Sequence, residues 1–351
     1  MATDYFHRVH KLSPTRFWIN NPTREQADLA IAAGAVGCTL NPSYGQKLID
    51  HPDEGPYALK LLEAAVRETT NDVEAVAEFQ RKVALPILEK FQPIYRRNPG
   101  GLEGLVSIQG DPIREDDPQV IIDEGRANRA IAENVCCKIP TTHPGLVAIE
   151  TLLPEGTPIN ATEVFGMAQV VALGELYVRL KREHDNHLPV MFYSHIAGIY
   201  DDHFRNVVAG DHVDIAPDLL VQAGLAVARR AYQTVKERGY GIHFIGGGAR
   251  ALYHFTELVG GDLVVTINWQ GTAEDLIALD PPVVYRIHNP VPPQVIDELS
   301  AKLVDFRRGW SEDGLKVDEF EEFGPVQLFR SIFVTGWQRV TKLAGEIRQR
   351  M

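Results

Sequence analysis

Lys138 stands in an otherwise apolar run, Val135-Cys136-Cys137-Lys138-Ile139-Pro140. An ammonium is expensive to bury, and desolvation lowers its pKa, which leaves a nucleophilic free amine near neutral pH. Such an amine can form an imine with a carbonyl substrate, although a lysine at a strand end can also snorkel to solvent along its stem. A second feature is Gly246-Gly247-Gly248-Ala249-Arg250. Glycines there let backbone amides approach an anion, and Arg250 adds a fork of donors suited to phosphate or sulfonate. Glycine also serves plain turns. Metal chemistry is not expected. The pairs His7 and His10, His184 and His187, and His212 with Asp211 and Asp214 have no third ligand at a strand end, and the cysteines lack zinc spacing.

These residues need a frame. Short apolar runs bounded by turn residues fall at 16–20, 36–40, 104–109, 135–140, 158–165, 190–196, 242–247 and 262–269. Runs of this kind suit strands buried on both faces, as in parallel sheets. Helical stripes lie between them, notably at 23–33 with a Thr23/Gln26 capping-box pattern, 166–184 and 217–238. Eight strands alternating with helices predict an α/β fold, a (β/α)8 TIM barrel with extra helices and a C-terminal helical tail. Residues 1–290 are read as the barrel catalytic domain, with an insertion at 50–101 that carries two helix candidates. A Pro-rich link at 280–293 leads into 291–351, read as a helical extension packed outside the barrel. Barrel catalytic groups sit at the C-terminal strand ends, where Lys138 falls. Residues two apart share a strand face, so Lys138 lies with Cys136 and Ser194 with Ile196, while His195 points away from the pocket unless it lies past the strand end.

Apolar residues make up 44% and charged residues 23% of 351, as in soluble globular proteins. Asp and Glu number 47 against 35 Lys and Arg, a net charge of −12, which argues against nucleic-acid and anionic-membrane partners. A local basic pocket still permits an anionic small molecule. Cys38, Cys136 and Cys137 offer no disulfide framework and fit a reducing cytoplasm. The segment 1–18 does not read as a secretory leader, and no apolar run is long enough to span a bilayer. A homo-oligomer is left open.

Five motifs in chain order resemble the transaldolase family. Cys38-Thr39-Leu40-Asn41-Pro42-Ser43 is similar to its T-T-N-P-S turn after the second strand. Lys138-Ile139-Pro140-Thr141, followed by Pro144-Gly145-Leu146 and Ala148-Ile149, resembles the segment that holds the Schiff-base lysine. Gly156, Asn160, Thr162, Phe165 and Gln169 match the pattern around the fifth strand. Ser194, Gly198, Asp201 and Asp202 resemble the sixth-strand segment, and Gly246–Arg250 stands where the family has G-A-S-F-R.

The resemblance implies a (β/α)8 barrel that needs no cofactor. It breaks a ketose between C3 and C4 through an imine on Lys138 and passes the dihydroxyacetone unit to an aldose acceptor. A sugar or sugar phosphate is the implied substrate. Asn20, Gln109 and Thr162 join Lys138 as implied catalytic positions. Asn41, Asn160, Ser194, Arg250 and Gly248 are the implied substrate-binding positions.

Four departures stand out. The family's first-strand Asp is Asn20, which can orient a hydroxyl but cannot take its proton. Its third-strand Glu is Gln109, a residue also found in the fructose-6-phosphate aldolase branch, which releases the three-carbon unit. The expected Arg after Gly198 is Ile199, and the expected sixth-strand aromatic is Ile196. Asp111, Glu163, Tyr193 and His195 are the candidates to replace the missing carboxylate. The rivals to a transferase are simple aldol cleavage, a non-standard ketose and an inactive barrel that binds sugar.

Overall fold

The computed structural model describes residues 4–351; residues 1–3, the start of the segment weighed above as a leader, lie outside the described residues. Eight parallel strands close on themselves in chain order. They are β1 (Arg16–Asn20), β2 (Cys38–Leu40), β3 (Val106–Gln109), β4 (Val135–Pro140), β5 (Ile159–Val164), β6 (Met191–His195), β7 (His243–Gly246) and β8 (Val264–Ile267). Each lies within two residues of the run that predicted it, and β8 pairs back onto β1. The fold is the expected (β/α)8 barrel.

Local chemistry sets the helix boundaries. Thr23 caps the helix Arg24–Ala32 through the capping box read from the sequence, and Asn71 caps Asp72–Tyr95. The helix Pro217–Arg238 starts on a proline and stops at Gly239, whose φ of +62° closes its end in the left-handed region. The two helices expected in the 50–101 insertion are Gly55–Glu68 and Asp72–Tyr95.

The barrel interior is layered. Trp18, Cys136, Phe192, Ile245 and Val264 fill the N-terminal end with apolar bulk, sealed by Tyr95 and Leu105. Gly37 makes room for the indole, because a Cβ there would lie 2.2 Å from Trp18 Cε2. One side-chain layer higher the lining turns polar, with Asn20, Thr39, Ser107, Lys138, Asn160, Ser194 and Thr266. The larger apolar core lies between the barrel and its helices.

β5 departs from regularity. Ala161 pairs with Tyr193 and Val164 with His195, so one extra residue bulges from the strand, and Glu163 within it has φ +62°.

The tail does more than pack outside. Helices Pro293–Lys302 and Val304–Trp310 lie against Pro217–Arg238. The last helix, Gly324–Gln349, turns back over the C-terminal mouth and sets Phe329, Ile332 and Phe333 into the central cavity. Its amphipathic stripe was legible in the sequence, whereas the surface it covers was not.

Candidate active site

A cavity of about 350 Å³ opens at the C-terminal mouth, lined by Lys138, Asn20, Asn41, Ser194, Gly248 and Arg250 among others. Six of the nine expected site residues therefore meet at one wall.

Lys138 is buried at 5% exposure. Its Nζ donates to Gln109 Oε1 at 2.7 Å and Asn41 Oδ1 at 3.0 Å. The Phe333 and Phe329 ring centroids lie 4.8 and 5.5 Å from the same nitrogen. Burial lowers the amine from 10.5 to about 8, and the charges of Glu163 and Glu115 hold it from falling further. Neutral partners orient the nitrogen without locking its charge.

Asn20 is held on both sides of its amide. It donates to Asn268 Oδ1 at 2.9 Å, and its Oδ1 accepts from Thr39 Oγ1 at 2.9 Å and Asn41 Nδ2 at 3.1 Å. Thr39 lies 2.7 Å from Thr266 Oγ1, which continues the network across the mouth. Asn160 lies deeper, donating to Ser107 Oγ at 2.9 Å and accepting from Ser194 Oγ at 2.6 Å. Thr162 is fully buried on β5 beside Pro140 of β4, and its hydroxyl has no partner among the described residues.

Gln109 pairs with Lys138 across the β3–β4 ladder and turns its amide nitrogen to two carboxyls, Glu115 and Glu163, each at 3.4 Å. Burial pushes Glu163 up to about 7, against the pull of Lys138. Burial and the neighbouring Glu163 charge push Glu115 well above the usual carboxylate range. Arg330 of the last helix places Nε 3.0 Å from Glu115 Oε1, and the same N–H donates to Pro112 O at 3.3 Å. Arg330 also pairs with Glu321.

The other three carboxylate replacements face elsewhere. Asp111 accepts from Arg114 at 2.9 Å. Tyr193 packs outward on Phe244. His195 points away from the cavity, as its strand position requires, with Nε2 2.9 Å from Gly224 O.

The glycine loop corrects part of the expected anion site. Arg250 donates through Nε to Asp202 at 2.7 Å and through a terminal nitrogen to Gly248 O at 3.2 Å. Two backbone donors of the loop are also engaged. Gly247 N donates to His195 O at 2.9 Å, and Arg250 N lies 3.3 Å from His254 Nδ1. His254 Nε2 in turn sits 3.1 Å from Asp201 Oδ2. Gly248, at φ +68°, lets Ile196 press close, since a Cβ would meet its Cγ2 at 2.3 Å. Ile196 and Ile199 thus make this end of the cavity partly apolar.

Sequence reasoning missed Lys47, whose Nζ donates to Asn21 O at 2.6 Å while lining the cavity, and whose pKa burial lowers. It also missed Thr39, which sits two residues before Asn41 on the same strand face and was readable by period. The roof of Phe329, Arg330 and Phe333 left no such signal. Among the described residues, no group of three or more His, Cys, Asp or Glu is arranged to hold a metal ion.

A parallel barrel with a desolvated lysine at its C-terminal mouth, flanked by amides and hydroxyls, is equipped for imine chemistry. The sequence pattern of the transaldolase/fructose-6-phosphate aldolase family matches residues 17–280, and the chain belongs to that family. It is 29% identical over 233 residues to a protein of Streptomyces avermitilis named Transaldolase 1, covering 63% of this chain and 61% of that one. It is 28% identical over 169 residues to a Transaldolase of Frankia alni, covering 46% of this chain and 44% of that one. A Transaldolase of Thiobacillus denitrificans is 27% identical over 331 residues, 83% of this chain and 87% of its own. The first two matches span less than two thirds of the relatives' lengths.

Proposed function

We propose that this protein transfers a dihydroxyacetone unit from a ketose to an aldose acceptor through an imine on Lys138. The observation that carries the reading is the amine itself: buried, lowered to about 8, and hydrogen-bonded only to neutral amide oxygens. A neutral Lys138 attacks the C2 carbonyl. Loss of water gives an iminium that draws the C3–C4 electrons as that bond breaks, and the enamine then attacks the acceptor aldehyde. Asn41, Asn20 and Ser194 supply oriented hydrogen bonds to the sugar hydroxyls. Thr162 and Gln109 attend the step that gains or loses water. No cofactor is required, since the iminium is the electron sink.

A sugar phosphate fits the family, and Arg250 with Lys47 supplies cationic groups in the cavity. Asp202 already neutralises Arg250, and Ile199 replaces the second guanidinium, so phosphate binding is weak. The three cysteines are buried and free, which suits the cytoplasm, and no helix of the described residues is long and apolar enough to cross a membrane.

The second reading, simple cleavage, rests on Gln109. Incubating the protein with fructose 6-phosphate, with and without erythrose 4-phosphate, separates the two. The transferase reading predicts product only with acceptor. Free dihydroxyacetone released at full rate without acceptor would show an aldolase instead.

A further inference from the structure

We propose that Glu163 is the carboxyl group that exchanges protons with Lys138 and the carbinolamine, in place of the carboxylates that Asn20 and Gln109 do not supply. This rests on the imine reading above. Among the described residues, no Asp or Glu lines the cavity, so proton transfer falls to Glu163 and Glu115, which are linked to Lys138 through the Gln109 amide.

The backbone aims Glu163 there. It is a non-glycine residue at φ +62° inside a buried strand, at the bulge where β5 carries one residue more than β6. Left-handed backbone is unfavourable for such a residue and persists only where its surroundings enforce it. Gln169 does so. Its Nε2 donates to Glu163 O and to Thr141 O, both at 2.9 Å, while its Oε1 accepts from Phe165 N at 2.8 Å and Gly166 N at 3.1 Å. Without the bulge, strand alternation would turn residue 163 to the opposite face from Asn160 and Thr162.

The side chain is fully buried. Oε1 accepts from Gln109 Nε2 at 3.4 Å, on the amide whose oxygen touches Lys138, and Oε2 has no partner among the described residues. The charged and titratable groups around it are Lys138 on β4, Glu115 in the loop after β3, Arg330 on the last helix, and Glu321 just before that helix. Arg330 sits against Glu115 at 3.0 Å, which leaves Glu163 the carboxyl freer to change its proton. Its rise to about 7, beside a lysine lowered to about 8, makes the two nearly matched donors and acceptors.

The step balances. Through one water, the Glu163 carboxylate takes a proton from the Lys138 ammonium; the free amine adds to the ketone carbon, and its own N–H proton passes to the former carbonyl oxygen. The carbinolamine hydroxyl then receives that proton from Glu163, directly or through one water, and leaves as water. The C–O bond breaks, the C=N bond forms, and the carboxylate is restored. Hydrolysis runs the same steps backwards.

The test follows adduct formation with dihydroxyacetone and cyanoborohydride by intact mass in rapid-quench time courses. Glu163→Gln keeps shape and removes the exchangeable proton, and should slow imine formation by about 100-fold or more. Glu163→Gly suits the left-handed backbone and therefore folds; it should be equally slow, with at least a tenfold rate gain from added formate. A Glu163→Gln rate within threefold of wild type overturns the proposal, as does a slow Glu163→Gly variant that formate does not rescue. Wild-type protein that forms no adduct overturns the imine reading and this inference together, whereas a competent wild type with an unimpaired Glu163→Gln overturns this inference alone.

Discussion

Phe333→Ala sets two effects on Lys138 against each other. The ring centroid lies 4.8 Å from Nζ and helps to exclude water from it. Lowering the amine from 10.5 to about 8 corresponds to about 3.4 kcal/mol disfavouring the charged form. A desolvated cation–π contact favours that form by roughly 2 kcal/mol at most. Removing the ring loses the smaller effect and, by admitting water, relieves the larger one in full. The difference is about 1.4 kcal/mol, so the lysine midpoint moves up by about one pH unit. At pH 7 imine formation should slow by about tenfold, because fewer amines are neutral. Adduct rates with dihydroxyacetone across pH 6–10 give both midpoints. A midpoint that stays put or falls in the variant would refute the claim that desolvation dominates. The same variant opens a cavity worth about 3–5 kcal/mol, which for a chain of this length lowers Tm by roughly 4–7 °C.

Gly37→Ala forces a Cβ into the Trp18 indole, so it should destabilise by about 1–3 kcal/mol or more, read as a fall in Tm; an unchanged Tm would place the indole elsewhere. Asp202→Asn removes the counter-charge of Arg250 and should tighten fructose 6-phosphate binding by about tenfold, while Arg250→Ala weakens it and Ile199→Arg strengthens it. Calorimetric titration showing no change in any of the three would move the anion site away from this loop. Glu163 titrates higher in the folded chain than its ordinary 4.5, reaching about 7, so the folded state binds more protons in that window and loses stability as pH rises through it. The Tm advantage of Glu163→Gln over wild type should therefore grow from pH 4.5 to 7; an advantage that shrinks would contradict the sign.

The barrel was legible because its signal is local. Each strand is a short apolar run, and the Thr23 cap and the Gly239 stop announce their helices in the sequence. Lys138 was legible from its apolar run near a strand end, whereas Asn20, Asn41 and Ser194 were reached through the motifs that resemble the family. Long-range pairings were not legible. Arg330 reaches Glu115 from the far end of the chain, and nothing in the amphipathic tail says which surface its apolar stripe will cover. Arg250 illustrates the same limit. Its place in the glycine loop was readable, whereas its pairing with Asp202 depends on how that loop meets the helix after the sixth strand. Glu163 was one candidate among four, and alternation alone would have turned it outward. The bulge accompanies its inward turn to the Gln109 amide, which also holds the lysine.

The central claim is that Lys138 forms an imine with a ketose. Incubation with dihydroxyacetone or a ketose phosphate and borohydride, followed by peptide mass mapping, tests it most directly. A single stoichiometric adduct on Lys138, lost in Lys138→Ala, is the predicted result. An unmodified Lys138 across a broad panel of ketoses, in protein that still binds sugar, would contradict the claim and leave a barrel that binds without catalysis.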